Sequence, residues 1–203
     1  MPRTNEDFIR GWLKRWEDGN YRNLRSRKHT LYSGFAPIAR WVYTSNMVRP
    51  VLLLWSGKHK QRSVQGHLDL IHRAVKDTRA HPFQVFETDA RLDWLKEEEI
   101  DALVRRVSMR RSILHWEENV KKAREGRLEY FDIDSRRCAL CEVYYPECGL
   151  CPLGQAGEVC MDSGSAWLGV RNELLSHGPA QDTDLVAKAQ AMLDLLKKLE
   201  EEL

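Results

Sequence analysis

The chain has 203 residues, of which 42% are hydrophobic and 31% are charged. This balance excludes a disordered chain, and the length suits one medium domain or two small ones. The longest apolar run, Val51 to Trp55, is too short to cross a bilayer, and the first residues lack the pattern of a secretory signal. We therefore expect a cytoplasmic protein.

The net charge of +2 conceals two halves of opposite sign. Residues 1–80 contain 16 Lys and Arg against 6 Asp and Glu, whereas residues 81–203 contain 16 against 24. A basic half is typical of a protein that binds an anionic partner such as DNA or RNA. The alternative is that the two halves attract each other and shield both charges.

The first elements are a helix and a small sheet. Apolar residues recur at helical spacing from Phe8 to Trp16, and Thr4 with Asp7 forms a capping box at the helix start. A glycine turn at 33–36 then predicts a β-hairpin, and the apolar run 51–55 predicts a central strand.

Basic and aromatic residues alternate over this predicted sheet. Arginine and lysine neutralise phosphates while aromatic rings stack on bases, which is how several single-strand nucleic-acid binders work. Edge strands also carry basic residues simply to avoid aggregation, so the pattern is suggestive and not specific. The candidate phosphate contacts on the sheet are Arg22, Arg25, Arg27, Lys28 and Arg40.

The loop after the central strand carries Lys58, Lys60 and Arg62 and leads into a helix. A strand, a glycine loop and a helix N-terminus together favour an anion contact. A Walker A loop requires a glycine where Leu52 stands, and the similarity to the loop of PP-loop ATP pyrophosphatases lacks its second glycine and its aspartate. A nucleotide-dependent enzyme with a phosphate loop at 56–63 is thus only the third hypothesis.

The second half is predicted to be mainly helical after a fourth strand at 83–86. A long helical region follows and ends at Gly126, residues 128–133 are predicted to form a short strand, and Asp162 or Ser165 is expected to cap a further helix. The last helix, 184–203, carries a heptad seam of apolar residues. A homodimer through this helix is one expectation, and packing on its own chain is the alternative.

All five cysteines lie within one window of the sequence, as two C-x-x-C pairs and one further residue. They are Cys138, Cys141, Cys148, Cys151 and Cys160. In a reducing compartment clustered cysteines more often bind metal than form disulfides, and two C-x-x-C turns supply the four thiolates of a structural zinc site. An iron–sulfur cluster is the alternative cofactor, although the ferredoxin spacings do not match.

Five cysteines for four coordination positions leave the ligand set open, with His115 as a sixth candidate. The spaced residues His115-Trp116, the two C-x-x-C pairs, Cys160 and 163–167 (SGSAW) resemble a cysteine module of uncharacterised phage and bacterial proteins. The resemblance covers about residues 110–170, with Ala166 where such modules often have proline. It implies that His115 belongs to the motif and that the chain has a phage or mobile-element origin, but it implies no activity.

We therefore predict an α+β fold: a small antiparallel sheet with flanking helices, followed by a helical C-terminal region held together by a metal. The expected domains are a basic region, 1–90, and a helical region, 91–203, which contains the cysteine module 138–160. No carboxylate pair or Ser/His/Asp set is spaced for catalysis, so we expect a non-catalytic protein that binds nucleic acid. A protein-interaction or inhibitor module that acts on a host or partner protein is the alternative.

Overall fold

The computed structural model confirms the α+β fold. The chain forms two compact units, one of residues 1–44 and 50–100 and the other of residues 45–49 and 101–203. The residues that the structure describes are 4–15, 19–27, 29–55, 62–77, 84–88, 92, 95–134, 138–176 and 183–203.

Within the described residues, the first unit contains a six-stranded sheet whose strands lie side by side in sequence order. The strands are β1 (Gly19–Tyr21), β2 (Leu24–Arg27), β3 (Thr30–Ser33), β4 (Ala36–Val42), β5 (Val51–Trp55) and β6 (Gln84–Thr88). The first five pair antiparallel, and β5 has a partner on each side, which confirms its predicted central place.

The sheet departs from the predicted antiparallel arrangement at one edge. β6 pairs with β5 in parallel, with Leu53 opposite Phe86. The helix α2 (Arg62–Asp77) lies between these two strands in the sequence, and a parallel pair requires such a crossover. The sheet is thus mostly antiparallel, as predicted, with one parallel pair at the β6 edge.

The first helix, α1 (Asn5–Arg15), begins as predicted. The amide N–H of Asp7 donates to the Thr4 hydroxyl at 3.0 Å, and the amide N–H of Thr4 donates to the Asp7 carboxylate at 3.0 Å. This reciprocal pair satisfies two N–H groups that have no partner within the helix.

The core of the first unit combines apolar residues from both helices and the sheet. Its members include Ile9 and Trp12 of α1, Ile71 of α2 and two β5 side chains, Leu52 and Leu54. The prediction that the aromatic stripe of α1 belongs to the core is confirmed for Trp12, which is 2% exposed. Burial of this many apolar side chains supplies most of the stabilisation of such a unit.

The first unit extends beyond residue 90, where the sequence placed its boundary. Arg40 donates from Nη1 to the carbonyl oxygens of Leu92 and Leu95, at 2.7 and 3.1 Å, and Ile100 is buried. These contacts tie the segment after β6 to the sheet unit, so the division falls at residue 100.

The second unit is built from helices and short helical turns. They are α3 (Glu97–Arg124), whose first turn belongs to the first unit, the 3₁₀ turns Leu128–Tyr130 and Cys148–Leu150, α4 (Ala139–Tyr144), α5 (Pro152–Gln155), α6 (Ala166–Ser176) and α7 (Thr183–Glu201). The predicted strand at 128–133 is wrong, because the chain forms a 3₁₀ turn there. Ser165 caps α6 as predicted, since its hydroxyl accepts from the Leu168 amide at 3.2 Å.

The predicted heptad seam of α7 is buried within the chain itself. Five of its six residues are buried, namely Leu185, Ala189, Met192, Leu196 and Leu199, whereas Leu203 is 41% exposed. The helix packs along α6, where the half-exposed Lys188 forms an ion pair with the buried Glu173. The fold therefore favours the alternative of packing on its own chain, and a homodimer through 184–203 stays a prediction.

Candidate metal centre

The structure brings all six predicted metal ligands to the wall of one cavity of about 600 Å³ in the second unit. The helix α3 contributes His115, and the segment that follows α3 contributes the five cysteines. All five are free thiols. The residues that the sequence singled out thus share one site.

The first C-x-x-C pair opens a short helix. Cys138 is the N-cap of α4, and its carbonyl oxygen accepts from the Glu142 amide at 3.0 Å. Cys141 lies one turn further on, and Leu140 between them is fully buried. Burial of this leucine fixes the turn, so both thiols lie on the side of the cavity.

The second pair repeats this arrangement with a tighter turn. Cys148 begins a 3₁₀ turn, and Cys151 is the N-cap of α5 with Pro152 in the first helical position. Proline suits that position because its fixed φ is helical and it needs no N–H partner there. The Cys151 amide donates to the Cys148 carbonyl oxygen at 3.1 Å, which closes the loop.

Gly154 makes this second turn possible. A Cβ atom at Gly154 would lie 1.9 Å from the carbonyl oxygen of Cys148, a distance that no side chain tolerates. Only glycine allows α5 to approach the 3₁₀ turn this closely. The sequence analysis missed this residue, although a glycine two places after Cys-Pro was its available signal.

Cys160 lies in the turn that precedes α6. The Ser165 hydroxyl donates to the Cys160 carbonyl oxygen at 2.7 Å and also caps α6. One serine therefore ties the fifth cysteine to the start of a helix.

The position and tautomer of His115 are set by Asn119 and the backbone of Asp132. His115 Nε2 lies 2.9 Å from the Asp132 carbonyl oxygen, and Asn119 Nδ2 donates to the same oxygen at 2.6 Å. The Asp132 amide donates back to Asn119 Oδ1 at 3.1 Å. Asn119 Nδ2 also lies 3.3 Å from His115 Nε2. A carbonyl oxygen only accepts, so the shorter contact with Asp132 favours the proton on Nε2 and a lone pair on Nδ1. Metal-binding histidines commonly use a backbone carbonyl in this way.

Asn119 was also missed by the sequence analysis. It is fully buried, one helical turn after His115 on α3. The His-x-x-x-Asn spacing was the signal that both side chains share a helix face.

The pKa values of the thiols differ strongly around the cavity. The hydrogen bond with Cys141 lowers the pKa of Cys138 to about 6, and the same bond, together with burial, raises the pKa of Cys141. Burial raises the pKa of Cys151 to about 11 and that of Cys160 to about 12. A bound cation would displace these protons, since the thiolate is the form that binds metal.

The described residues contain no group of three or more His, Cys, Asp or Glu side chains that converges on a position for one metal ion. The thiols instead surround a cavity whose lining also includes Trp116, Phe131, Leu153 and Met192. The site is therefore a cavity lined by both thiols and apolar side chains.

The predicted nucleic-acid contacts lie in the first unit, and the structure separates them into groups. Arg22, Arg25 and Arg27 are exposed. The Arg25 guanidinium lies over the rings of Tyr32 and Phe35, with its Cζ atom 4.8 and 5.6 Å from the two centroids. Phe35 is 86% exposed and was not among the predicted residues.

Arg40 has a different environment from these three arginines. Its hydrogen bonds to two backbone carbonyls give it a structural role, which its basic character alone did not predict. Arg62 is the first residue of α2. Lys28, Lys58, Lys60 and most of the predicted phosphate loop, 56–61, lie outside the described residues.

Comparisons with known proteins leave the predicted resemblance without further support. No protein-family model, curated protein or solved structure matches this chain. In the part of the chain that the structure describes, no helix is both long enough and apolar enough to cross a membrane.

Proposed function

We propose that the second unit binds a metal cofactor through the thiolates of its cysteine cavity. The observation that carries this proposal is the position of all five cysteines of the chain on the wall of one cavity, beside a histidine whose tautomer leaves Nδ1 able to coordinate. Deprotonated cysteines and neutral histidines are the ligands preferred by zinc and by iron–sulfur centres.

The electrostatics of the cavity support a bound cation. Several thiols face each other, and ionisation at Cys138 raises the pKa of Cys151 and Cys160, beyond the larger effect of burial. Negative charges cannot accumulate in a buried cavity unless a cation compensates them. A metal cofactor would provide this compensation and would contribute its binding free energy to folding.

A structural role for the cofactor fits the construction of the segment around it. The described residues of this segment, 127–134 and 138–165, form short helices and turns. Their buried apolar side chains, besides Cys151, are Phe131, Ala139, Leu140, Val143, Tyr144, Pro152 and Leu153. Such a segment buries little apolar area relative to its length, so a cofactor that joins its turns has a large effect on its stability.

Elemental analysis of the full chain, purified without oxygen and without added metal, tests this proposal. We expect at least about one equivalent of bound transition metal per chain, and loss of that metal in the double variant Cys141→Ser/Cys151→Ser. Met161→Leu is the matched control, because Met161 also lies at the cavity, is 61% exposed and carries a thioether instead of a thiolate. Metal content that is the same in wild type and double variant would overturn the proposal.

A second function, binding of single-stranded nucleic acid, is favoured by the exposed surface formed by Arg25, Tyr32 and Phe35. Phe35 presents nearly its whole ring to solvent at the β3–β4 turn, with the Arg25 guanidinium beside it. An exposed ring offers a stacking platform for a base, and the neighbouring guanidinium neutralises phosphate.

Fluorescence anisotropy with short single-stranded DNA and RNA tests this second function. We expect binding that weakens as salt rises, and a loss of several-fold in affinity for Arg25→Gln and for Phe35→Ser. Arg73→Gln, at an exposed position on α2, removes the same charge elsewhere in the unit. An equal loss in Arg73→Gln, or no binding to either nucleic acid, would contradict a role for this surface.

A further inference from the structure

We infer that the cofactor of the cysteine cavity is an iron–sulfur cluster and not a single zinc ion. This inference rests on the proposed metal-binding function and identifies its cofactor. It differs from the zinc assignment that the C-x-x-C spacing favours. The reasons are the size of the cavity and the absence, among the described residues, of any three candidate ligands that meet at one point.

A single zinc ion requires convergence that the site lacks. Tetrahedral zinc holds four ligands at about 2.0–2.3 Å, so the ligand atoms crowd around one point and leave no cavity between them. In the described residues no three candidate side chains converge in this way, although all six lie on one wall. The turns that carry them are fixed by backbone contacts, such as the close approach at Gly154.

A cluster of several irons fits both observations. In a [4Fe–4S] cluster each of the four cysteine ligands binds a different iron, so the thiolates stand further apart than the ligands of one ion. A cavity of about 600 Å³ has room for such a body, whereas it far exceeds one ion. The five cysteines and His115 exceed the four protein ligands that a cluster needs.

The remaining lining of the cavity also suits a cluster. Trp116, Phe131, Leu153 and Met192 are buried apolar side chains on its wall. An apolar shell limits the access of water to a cluster and influences its reduction potential. Arg171 also lines the cavity, and unlike these apolar residues it carries a positive charge, which would stabilise an anionic cluster.

The experiment uses the full chain, purified without oxygen and then divided. One part is incubated with equal amounts of ferrous and ferric iron and a matching amount of sulfide, which together contain the atoms and electrons of a [4Fe–4S]²⁺ core. The other part receives Zn²⁺ alone. After removal of unbound ions, iron, sulfide and zinc are measured per chain and the visible spectrum is recorded.

We expect iron and sulfide in equal amounts, at about two to four of each per chain, with the broad visible absorption of sulfide-to-iron charge transfer. Colourless protein that takes up one zinc and no sulfide would overturn the cluster and leave the proposed metal site intact. Protein that takes up neither would overturn both. Because these quantities are measured on the wild-type chain, no outcome depends on whether a variant folds.

The cysteine variants assign the cluster to the cavity. Cys141→Ser/Cys151→Ser is expected to lose the visible absorption, and Met161→Leu to keep it. Hydrogen exchange of β4 and β5 in each variant shows whether the sheet unit is still folded, which separates loss of the cofactor from general unfolding. Equal absorption in the double variant and the wild type would mean that the iron is bound elsewhere, and would overturn the inference.

Discussion

The sheet unit, residues 1–44 and 50–100, buries leucine, isoleucine and tryptophan side chains against two helices, whereas the second unit surrounds a cavity with thiols. The first arrangement is stabilised by removal of apolar surface from water, which requires no other molecule. The second places ionisable groups where water is scarce, and such groups are stabilised by a partner. One chain thus contains a self-sufficient core and a core that we propose is completed by a cofactor.

The sharpest test of this contrast is a cavity made in the apolar core. Leu52 is fully buried on the central strand and belongs to this core, so we expect Leu52→Ala to lower the free energy of unfolding by about 2–5 kcal/mol. Urea unfolding, monitored by hydrogen exchange of the β5 amides, measures this loss. Leu114→Ala is the matched control, since Leu114 is 51% exposed and should change stability by less than about 0.5 kcal/mol. The contrast fails if Leu52→Ala also lowers the free energy of unfolding by less than about 1 kcal/mol.

The second unit is instead expected to respond most to a change of backbone geometry at a cysteine turn. Gly154→Ala forces a Cβ against the Cys148 carbonyl oxygen, so we expect a loss of about 1–3 kcal/mol or more, together with loss of bound metal. Gly149→Ala, in the same turn, meets no atom within 4 Å and should retain both. Thermal unfolding measures the stability of the two variants, and elemental analysis measures their bound metal. Equal stability and equal metal content in both variants would mean that the turn can accommodate a Cβ at Gly154.

A smaller effect is expected at the residue that orients His115. Asn119→Ala removes two hydrogen bonds with the Asp132 backbone and should lower stability by about 1–3 kcal/mol. Without Asn119 the Asp132 carbonyl that accepts from Nε2 is held less firmly, so we also expect a mixture of His115 tautomers, which nitrogen NMR detects through the shifts of the two ring nitrogens. Asn172→Ala, at an exposed position on α6, is the control. An unchanged His115 tautomer would show that Asp132 alone sets it.

The smallest expected effect is a pH dependence of the sheet unit at His67. Burial lowers the pKa of His67 from 6.5, and the Asn5 amide and the Ser33 hydroxyl, at 3.0 and 2.8 Å, satisfy the neutral ring. The unfolded state therefore binds this proton more tightly, so stability falls as pH drops below about 6.5 and levels off below the folded pKa.

One proton limits this slope to about 1.4 kcal/mol per pH unit, and His67→Gln should remove its contribution. Urea unfolding of the sheet unit between pH 7.5 and 5 measures it, at values chosen to span the ordinary histidine range of about 6.5. A slope that is identical in wild type and variant would assign the dependence to other groups.

Elements with a strong local signal could be predicted from the sequence. A few neighbouring residues are enough to predict the capping box at Thr4, the glycine turn at 33–36 and the apolar strand β5. The parallel pairing of β6 with β5 could not be predicted, because it depends on how the connection through α2 packs on the sheet. Strand β2 was missed because its four residues, LRSR, contain a single apolar side chain.

The candidate metal centre also combines features that the sequence predicts with features that it does not. Spacing identified the cysteines of the cavity, and the resemblance to a cysteine module added His115, which lines the same cavity. Spacing could not show that the turns are held by contacts such as the close approach of Gly154 to Cys148, nor that the thiols line a cavity without three candidate ligands meeting at one point among the described residues. Composition likewise marked Arg40 as a phosphate contact, although its hydrogen bonds hold the segment after β6.

Residues 45–49, between β4 and β5, belong to the second unit, where the Val48 amide donates to the Val143 carbonyl oxygen and Asn46 donates to Asp101. The chain therefore passes from one unit to the other three times, and no single cut separates them. A fragment that ends at residue 100 keeps 45–49 without its hydrogen-bond partners, and a fragment that begins at 101 lacks them altogether. Expression of either half in isolation would thus yield a shortened protein with unpaired backbone, and work on one unit is better done by substitution in the whole chain.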